Sequence, residues 1–550
     1  MPEITEVIRP GWRGWWPNQS PLGAVPDTLL SGSNCVPTGP GKLQSFAGYG
    51  AGTATAGATM FPVKDTIGSI GTGSINYDRG DTYWWIGTGT ATVGSSSLGA
   101  ATSSLQLKIG LAGTAYTAGL ARPVLAANAL ATNGAGNMTG TYSVKIAYKR
   151  SATGAVSNAS EKSNTVSASS NKLQLTVPAP GADTGVDRVQ VFAAPRGFSE
   201  TGPWLFLSEH TISEGAPTVI TALGPFGNGQ WADGDRSSYL APLENYAPPT
   251  GTHVLTLGSV KCVLGCYGGA GIAFSFPAKP ESFSPDRVSF LPGPVIGLAV
   301  RPSDGFAYVW GTNYVAAVIL VPGGYVLPRL MWSAQGLADS NSACLVESEL
   351  WAYTNEPVRT RTDGDPDTSF AIQVRDYMRS NWTGEVVVGY SEEWNAVVYF
   401  HGSEAIAYYR GLDAWSTPLT GLSGSVRAAA AAGNRLFVAD AGGTVKRFGG
   451  GSGTTGTALT VFSQPNVGRN FTLNAVETAA TGGVTFEVFT NMDTATSQGS
   501  KTISGVGNQH SAYLYLNVIN CRSVALKYTL PAGGAVYQST GTGVPDGARI

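Results

Sequence analysis

Short apolar runs follow one another along nearly the whole chain, most of them alternating with polar residues at every second position, and clusters of Gly, Asn or Asp separate them. Period two is what a strand with one buried face produces. Aligned on their turns, five hairpins in the second half share one plan. KCVLGCYGGAGIAFS turns near Gly268, GFAYVWGTNYVAAVIL near Thr312, SELWAYTNEPVRTRT near Asn355, NAVVYFHGSEAIAYY near Gly402 and NRLFVADAGGTVKRF near Gly442, at spacings of 44, 43, 47 and 40 residues. A recurrence of about 40 to 50 residues, with weaker flanking strands completing four per unit, predicts an all-β chain whose core is a β-propeller. DTYWWIGTGTATVG, turning near Thr88, fits as an earlier unit but lies 180 residues before Gly268. One period covers about 44 of these, so roughly 136 residues are inserted, and about six blades are expected.

The insertion has its own strand pattern. Tyr142, Val144, Ile146 and Tyr148 alternate, as do Leu173, Leu175 and Val177, then Val189 and Val191. Breaks at TGAVSNAS and PGADTG suit a sandwich of the fibronectin-III or immunoglobulin kind, without the paired cysteines of an antibody domain. Beyond the flexible GGGSGTTG, a C-terminal β domain is expected, with Phe471, Leu473, Phe486, Val488, Val524, Leu526 and Tyr528 pointing inward. The resulting division is an N-terminal extended arm at 1–50, the first blade at 51–120, the inserted sandwich at 121–228, the remaining blades at 229–450 and the C-terminal β domain at 451–550.

One segment breaks the strand pattern. In DPDTSFAIQVRDYMRSNW, Phe370, Val374, Tyr377 and Met378 form a stripe at helical spacing, predicting one short helix over about 368–380 with Asp367 as its cap. Gln373, Arg375, Asp376 and Arg379 take the opposite face. A helix this short must dock on something larger. Asp363, Asp365 and Asp367 alternate as in the first half of a calcium loop, but Thr368 and Val374 stand where an EF-hand needs Gly and Glu. The expectation is a turn and a cap rather than a metal site, with those three aspartates as the one weak metal candidate.

Composition narrows the function. Of 550 residues, 42% are hydrophobic and 10% aromatic, too apolar for disorder. A net charge of −2 and no Lys/Arg-rich block argue against an electrostatic grip on nucleic acid or an anionic membrane. No signal-peptide pattern and no run of about 18 apolar residues stands out. The five cysteines are scattered, which fits a chain assembled in a cytosol. Cys262 and Cys266, four apart on one strand, are expected to face the same side as buried thiols.

A search for catalysis finds no pattern. His210, His253, His401 and His510 stand alone, outside HExxH or any metal-ligand spacing. There is no GxSxG elbow, and neither GGAG nor GGGSG is followed by the Lys-Ser/Thr of a phosphate loop. RPSDGFAYVW is a poor match to the Asp-box turns of propeller glycosidases. Glu347, Glu349, Glu392, Glu393 and Asp413 cannot be paired by sequence, and Glu392–Glu393 reads as a hairpin turn. No catalytic residue, cofactor or enzymatic activity is expected. The N-terminal GWRGWW places Trp12, Trp15 and Trp16 within five residues. They form either a strap on the chain's own surface or an arm anchored on a neighbouring subunit.

The order of these features carries a resemblance. An extended arm ends in GKLQSFAGYG. PVIGLAVRPSDGFAYVWGTNYVAAVIL, QGLADSNSACLVESELWAYTNEP, the helix SFAIQVRDYM, WNAVVYFHGSEAIAYYRGLDAWSTPLTG and GNRLFVADAGGTVKRFGG then follow. This arrangement resembles the tail nozzle, or packaged-DNA-stabilising head-completion, proteins of short-tailed bacteriophages, in some detail over 290–450 and in style over 10–50. The resemblance implies a homo-hexameric ring of β-propellers at the virion's tail tip, assembled in the host cytoplasm. The ring would extend the DNA channel below portal and adaptor and retain the genome until ejection. Implied partners are the tail adaptor, tail fibres or spikes, packaged double-stranded DNA passing without sequence-specific contact, and the host envelope at the distal tip. Candidate subunit or partner contacts are Trp12, Trp15 and Trp16 of the arm and Phe370, Val374, Tyr377 and Met378 of the helix, which packs either against a blade or against a neighbouring subunit. The alternatives are a receptor- or glycan-binding tail protein, for which Trp204, Trp394 or Trp415 would offer aromatic platforms, and a propeller glycoside hydrolase.

Overall fold

The computed structural model describes residues 4–8, 13–17, 28–39, 42–55, 59–63, 66–78, 82–94, 96–99, 105–111, 114–181, 184–194, 202–223, 239–300, 306–333, 336–337, 339–360, 366–460, 462–464, 470–504 and 508–545. The chain is all-β, built from many separate antiparallel sheets. Seven of those among the described residues have three or four strands and stand in one series. Five follow sequence order, starting at His253–Leu257, Gly297–Val300, Ala343–Val346, Val387–Ser391 and Val426–Ala432. Each is a meander whose first strand packs against the first strand of the next.

The stretch 51–120, expected to hold one sheet, holds two, and they are interleaved. Thr59–Val63 and Thr66–Ile70 begin one; Thr72–Asp78 and Thr82–Thr88 begin the next. The chain then returns, adding Ala91–Val93 and Ser96–Gly99 to the first and Lys108–Leu111 and Thr114–Thr117 to the second. Only the Trp84–Trp85 strand carries a strong hairpin signal, so the period points to a single unit there. Thr72–Asp78 packs on both Thr59–Val63 and His253–Leu257, and Thr59–Val63 packs on Val426–Ala432. The last sheet takes its fourth strand from far upstream, where Tyr49–Thr55 pairs with Thr444–Phe448.

The insertion folds as a three-stranded sheet facing a four-stranded one around Val144, Ile146, Leu173, Leu175, Val177, Val189 and Val191. The stretch from TGAVSNAS to Ser163 is more than the break expected there, because Ser157, Ser160 and Ser163 act together. Their hydroxyls accept the amides of Tyr148, Ile146 and Val144 at 2.9, 3.0 and 3.0 Å, completing a sheet edge. The insertion is keyed to the series by Arg150, fully buried. Its Nη2 donates to Glu281 Oε2, and its Nη1 donates to the carbonyls of Thr117 at 3.0 Å and Thr184 at 2.7 Å.

The C-terminal strands form two facing sheets, and all seven residues expected to point inward there are buried. The segment 1–50, expected as an extended arm, supplies strands to both. Ile4–Ile8 pairs with Ala535–Pro545, Leu29–Ser33 with Gly456–Thr460, and Lys42–Ser45 with Ala535–Pro545. Its period-two signal is weak because Gly, Pro and Thr interrupt it.

Cys262 and Cys266 do not share a face. A β-bulge between Leu264 and Cys266, with Gly265 at φ +73°, reverses the alternation. Cys262 packs with Leu255 and Leu264, whereas Cys266 packs with Trp84 and Val263. Both thiols are buried, as expected.

Candidate functional site

Two places stand out: the helix with its aromatic bed, which gathers residues singled out above, and a cavity between the first strands of the seven sheets, which the sequence did not point to. At the first, the expected continuous helix is broken. Ser369–Ala371 is one 3-10 turn and Arg375–Asn381 is the α-helix. The ladder is interrupted where the carbonyl of Phe370 accepts the Trp415 indole N–H at 3.0 Å. Asp367 acts on the turn: its Oδ1 accepts the amide of Ser369 at 2.9 Å, and its Oδ2 pairs with Arg359 at 2.8 Å. Burial acts to raise its pKa, but the bonds from Ser369 and Arg359 outweigh it and hold the carboxyl below its usual range. Asp363 and Asp365 lie outside the described residues. Among the described residues no three His, Cys, Asp or Glu are grouped as for a metal ion.

Val374 and Met378 are fully buried under Trp351, Tyr399 and Trp415, with Phe370 and Tyr377 packed half-buried beside them. Trp15 enters the same core. Its ring meets Tyr377 edge-on at 4.7 Å, and its amide donates to the Trp415 carbonyl at 3.0 Å. Gly14, at φ +78°, permits this approach: a Cβ there would lie 2.4 Å from the Trp415 amide nitrogen. Trp15, Val374 and Met378, expected either against the chain's own sheets or at a subunit or partner contact, pack within the chain. Trp16 is half-buried, and Trp12 lies outside the described residues. Trp415 is buried, and Trp204 and Trp394 are half-buried, so none is the open platform a glycan site would use.

The axis is the feature that sequence reading missed. A cavity of about 180 Å³ runs between the first strands of all seven sheets, lined among others by Phe61, Tyr77, Leu298, Leu345, Tyr390 and Ala431. Beside it, sharing Ser340 and Asn341, opens a mouth of about 610 Å³ bordered by Thr72, His253, Asp339, Glu385 and Arg427. These residues sit at or just before the N-terminal ends of first strands. Their only sequence signal was position, each shortly before an alternating run.

The chemistry found elsewhere is quiet. Burial pushes the His253 ring down to about 4, so it is neutral at pH 7. His210 bonds Ser208 at 2.8 Å, His401 stacks on Trp382, and His510 is exposed. Glu347 faces Arg410 at 3.4 Å, Glu393 pairs with Arg447 at 2.7 Å, and Asp413 accepts the Tyr408 hydroxyl at 2.6 Å. Glu392 and Glu393 lie in a hairpin turn. Burial raises the Cys35, Cys262 and Cys344 thiols well above their ordinary value, and Cys266 to about 11, which keeps them protonated. Among the described residues no helix is long and apolar enough to cross a membrane. No protein-family model matches the chain, and no curated protein matches it.

Proposed function

We propose that the seven sheets are the blades of a closed β-propeller, one more than the six expected, carrying an inserted sandwich of the fibronectin-III kind. We further propose that the chain is a virion structural protein, the subunit of a tail nozzle ring. The ring would be a homo-hexamer bound to the tail adaptor, with packaged DNA passing through its centre. The observation that carries the reading is mechanical. Strands far apart in the sequence are built into the same sheets: Ile4–Ile8 on Ala535–Pro545, and Tyr49–Thr55 on Thr444–Phe448. Parting these segments means stripping a whole strand from a sheet, which suits a wall that retains DNA under pressure. The order of elements over 290–450 supports the same reading.

The axial cavity sets where DNA could run. At about 180 Å³ it is below the size of an ordinary small-ligand pocket, far too small for a duplex. A DNA channel would therefore lie between copies of the chain. Mass photometry of the full chain tests the ring: a species of six chain masses is expected, and a monomer at every concentration argues against it.

One observation favours the glycan-binding reading. Tyr513 and Tyr515, 51% and 80% exposed, stack with ring centroids 6.3 Å apart on the edge strand His510–Cys521. Paired aromatic faces of this kind suit the apolar face of a sugar. Glycan-array binding lost in Tyr515→Ala would favour that role.

A further inference from the structure

The cavity and its mouth differ in chemistry, and the difference defines a ligand. The cavity is walled mainly by apolar side chains: Leu298, Val300, Leu345 and Ala431 alternate with the aromatic Phe61 and Tyr390. Its volume slightly exceeds that of about 150 Å³ at which a buried apolar cavity stays dry and admits benzene. The mouth is polar and carries both signs of charge. Glu385 and Arg427 stand exposed at the starts of neighbouring first strands, Val387–Ser391 and Val426–Ala432, which pack together. Neither side chain makes an ion pair or hydrogen bond to a described residue, so both are open to a ligand. Asp339 also borders the mouth, its Oδ1 accepting the Asn341 amide at 2.7 Å, and its carboxylate adds to the side that would favour a cation. His253 is neutral and adds no charge. Asn341 holds the two regions in register. Its side-chain amide donates to the Arg427 carbonyl at 2.9 Å, and its own carbonyl accepts the Val388 amide at 2.8 Å.

We propose that this axial site binds a small zwitterion with one apolar arm, of the class of free α-amino acids with an aromatic or branched aliphatic side chain. The arm enters the cavity between the first strands. Arg427 takes the carboxylate, for which its planar donors are suited. Glu385 takes the ammonium group. The site stands on the cavity and its mouth, and it holds whether or not the chain forms a nozzle ring.

Titration calorimetry on the full chain tests this with L-phenylalanine, 3-phenylpropionate, phenethylamine and benzene as probes. Saturable binding of phenylalanine is expected, weakened about tenfold when either charge of the head is removed. Arg427→Gln weakens phenylalanine and phenylpropionate but leaves phenethylamine unchanged; Glu385→Gln weakens phenylalanine and phenethylamine but leaves phenylpropionate unchanged. Ala431→Phe, which fills the cavity, abolishes binding of all four probes. If that variant does not fold, Val300→Phe replaces it. Three results overturn the proposal: no saturable binding of phenylalanine or leucine in the millimolar range, binding of benzene alone, or amino-acid binding that survives a folded cavity-filling variant.

Discussion

His253 shows how burial turns one side chain into a pH sensor for stability. Its folded value of about 4 lies below the ordinary 6.5, so the unfolded chain takes up a proton at mildly acidic pH and the folded chain does not. The stabilisation from the neutral ring is complete above about pH 6.5 and is lost as pH falls through 4. Between pH 7 and 4.5 it amounts to about 2 to 3 kcal/mol. His253→Phe should flatten the acid side of the stability profile by that amount in denaturant titrations; an unchanged profile would show that the ring is solvated. Arg150 and Glu281 make the opposite case, a charge pair that burial leaves costly to break. Glu281→Gln strands a buried guanidinium and should lower stability by about 3 kcal/mol. The double variant Arg150→Met/Glu281→Leu should lose less than the sum of its parts. Little of this was legible in the sequence. A lone His on a strand and an Arg closing TYSVKIAYKR look the same whether solvated or buried, because their partners lie up to 131 residues away.

Single elements were easier to read than the links between them. The alternating runs gave the strands of the five later sheets, and the i, i+4, i+7, i+8 stripe gave the helix region, because one-sided burial leaves a local imprint. Alternation fails where one residue changes the pleat. The bulge at Gly265 put Cys262 and Cys266 on opposite faces, and only a glycine fits there: a Cβ would fall 2.1 Å from Thr252 Oγ1. Gly265→Ala should therefore cost about 1 to 3 kcal/mol, read as a lower denaturation midpoint. The N-terminal segment was the least legible element, since its strands are short and their partners lie in the last hundred residues. Trp15 is its anchor. Trp15→Ala should destabilise the chain by about 3 to 5 kcal/mol and expose the first fifty residues to limited proteolysis. A protected N-terminus in that variant would show that the strand pairs alone hold it.

At the scale of the whole molecule, the all-β class and the repeat were legible, but the interleaved pair of sheets and the axial cavity were not. Repeat counting assumes that each unit is contiguous, and residues 59–117 violate that assumption by visiting two sheets twice. A cavity formed by one strand from each of seven sheets leaves no motif in any of them. The proposed ring rests on a subunit whose distant segments share sheets and whose cavity between the first strands is too narrow for DNA. On the proposed function, that combination would put the duplex outside the subunit, with copies surrounding it. Cryo-electron microscopy of the purified full chain tests this most directly. The account predicts six-fold rings with a central opening wide enough for duplex DNA. Particles that remain single subunits at all concentrations, or close into assemblies without a central opening, would contradict it.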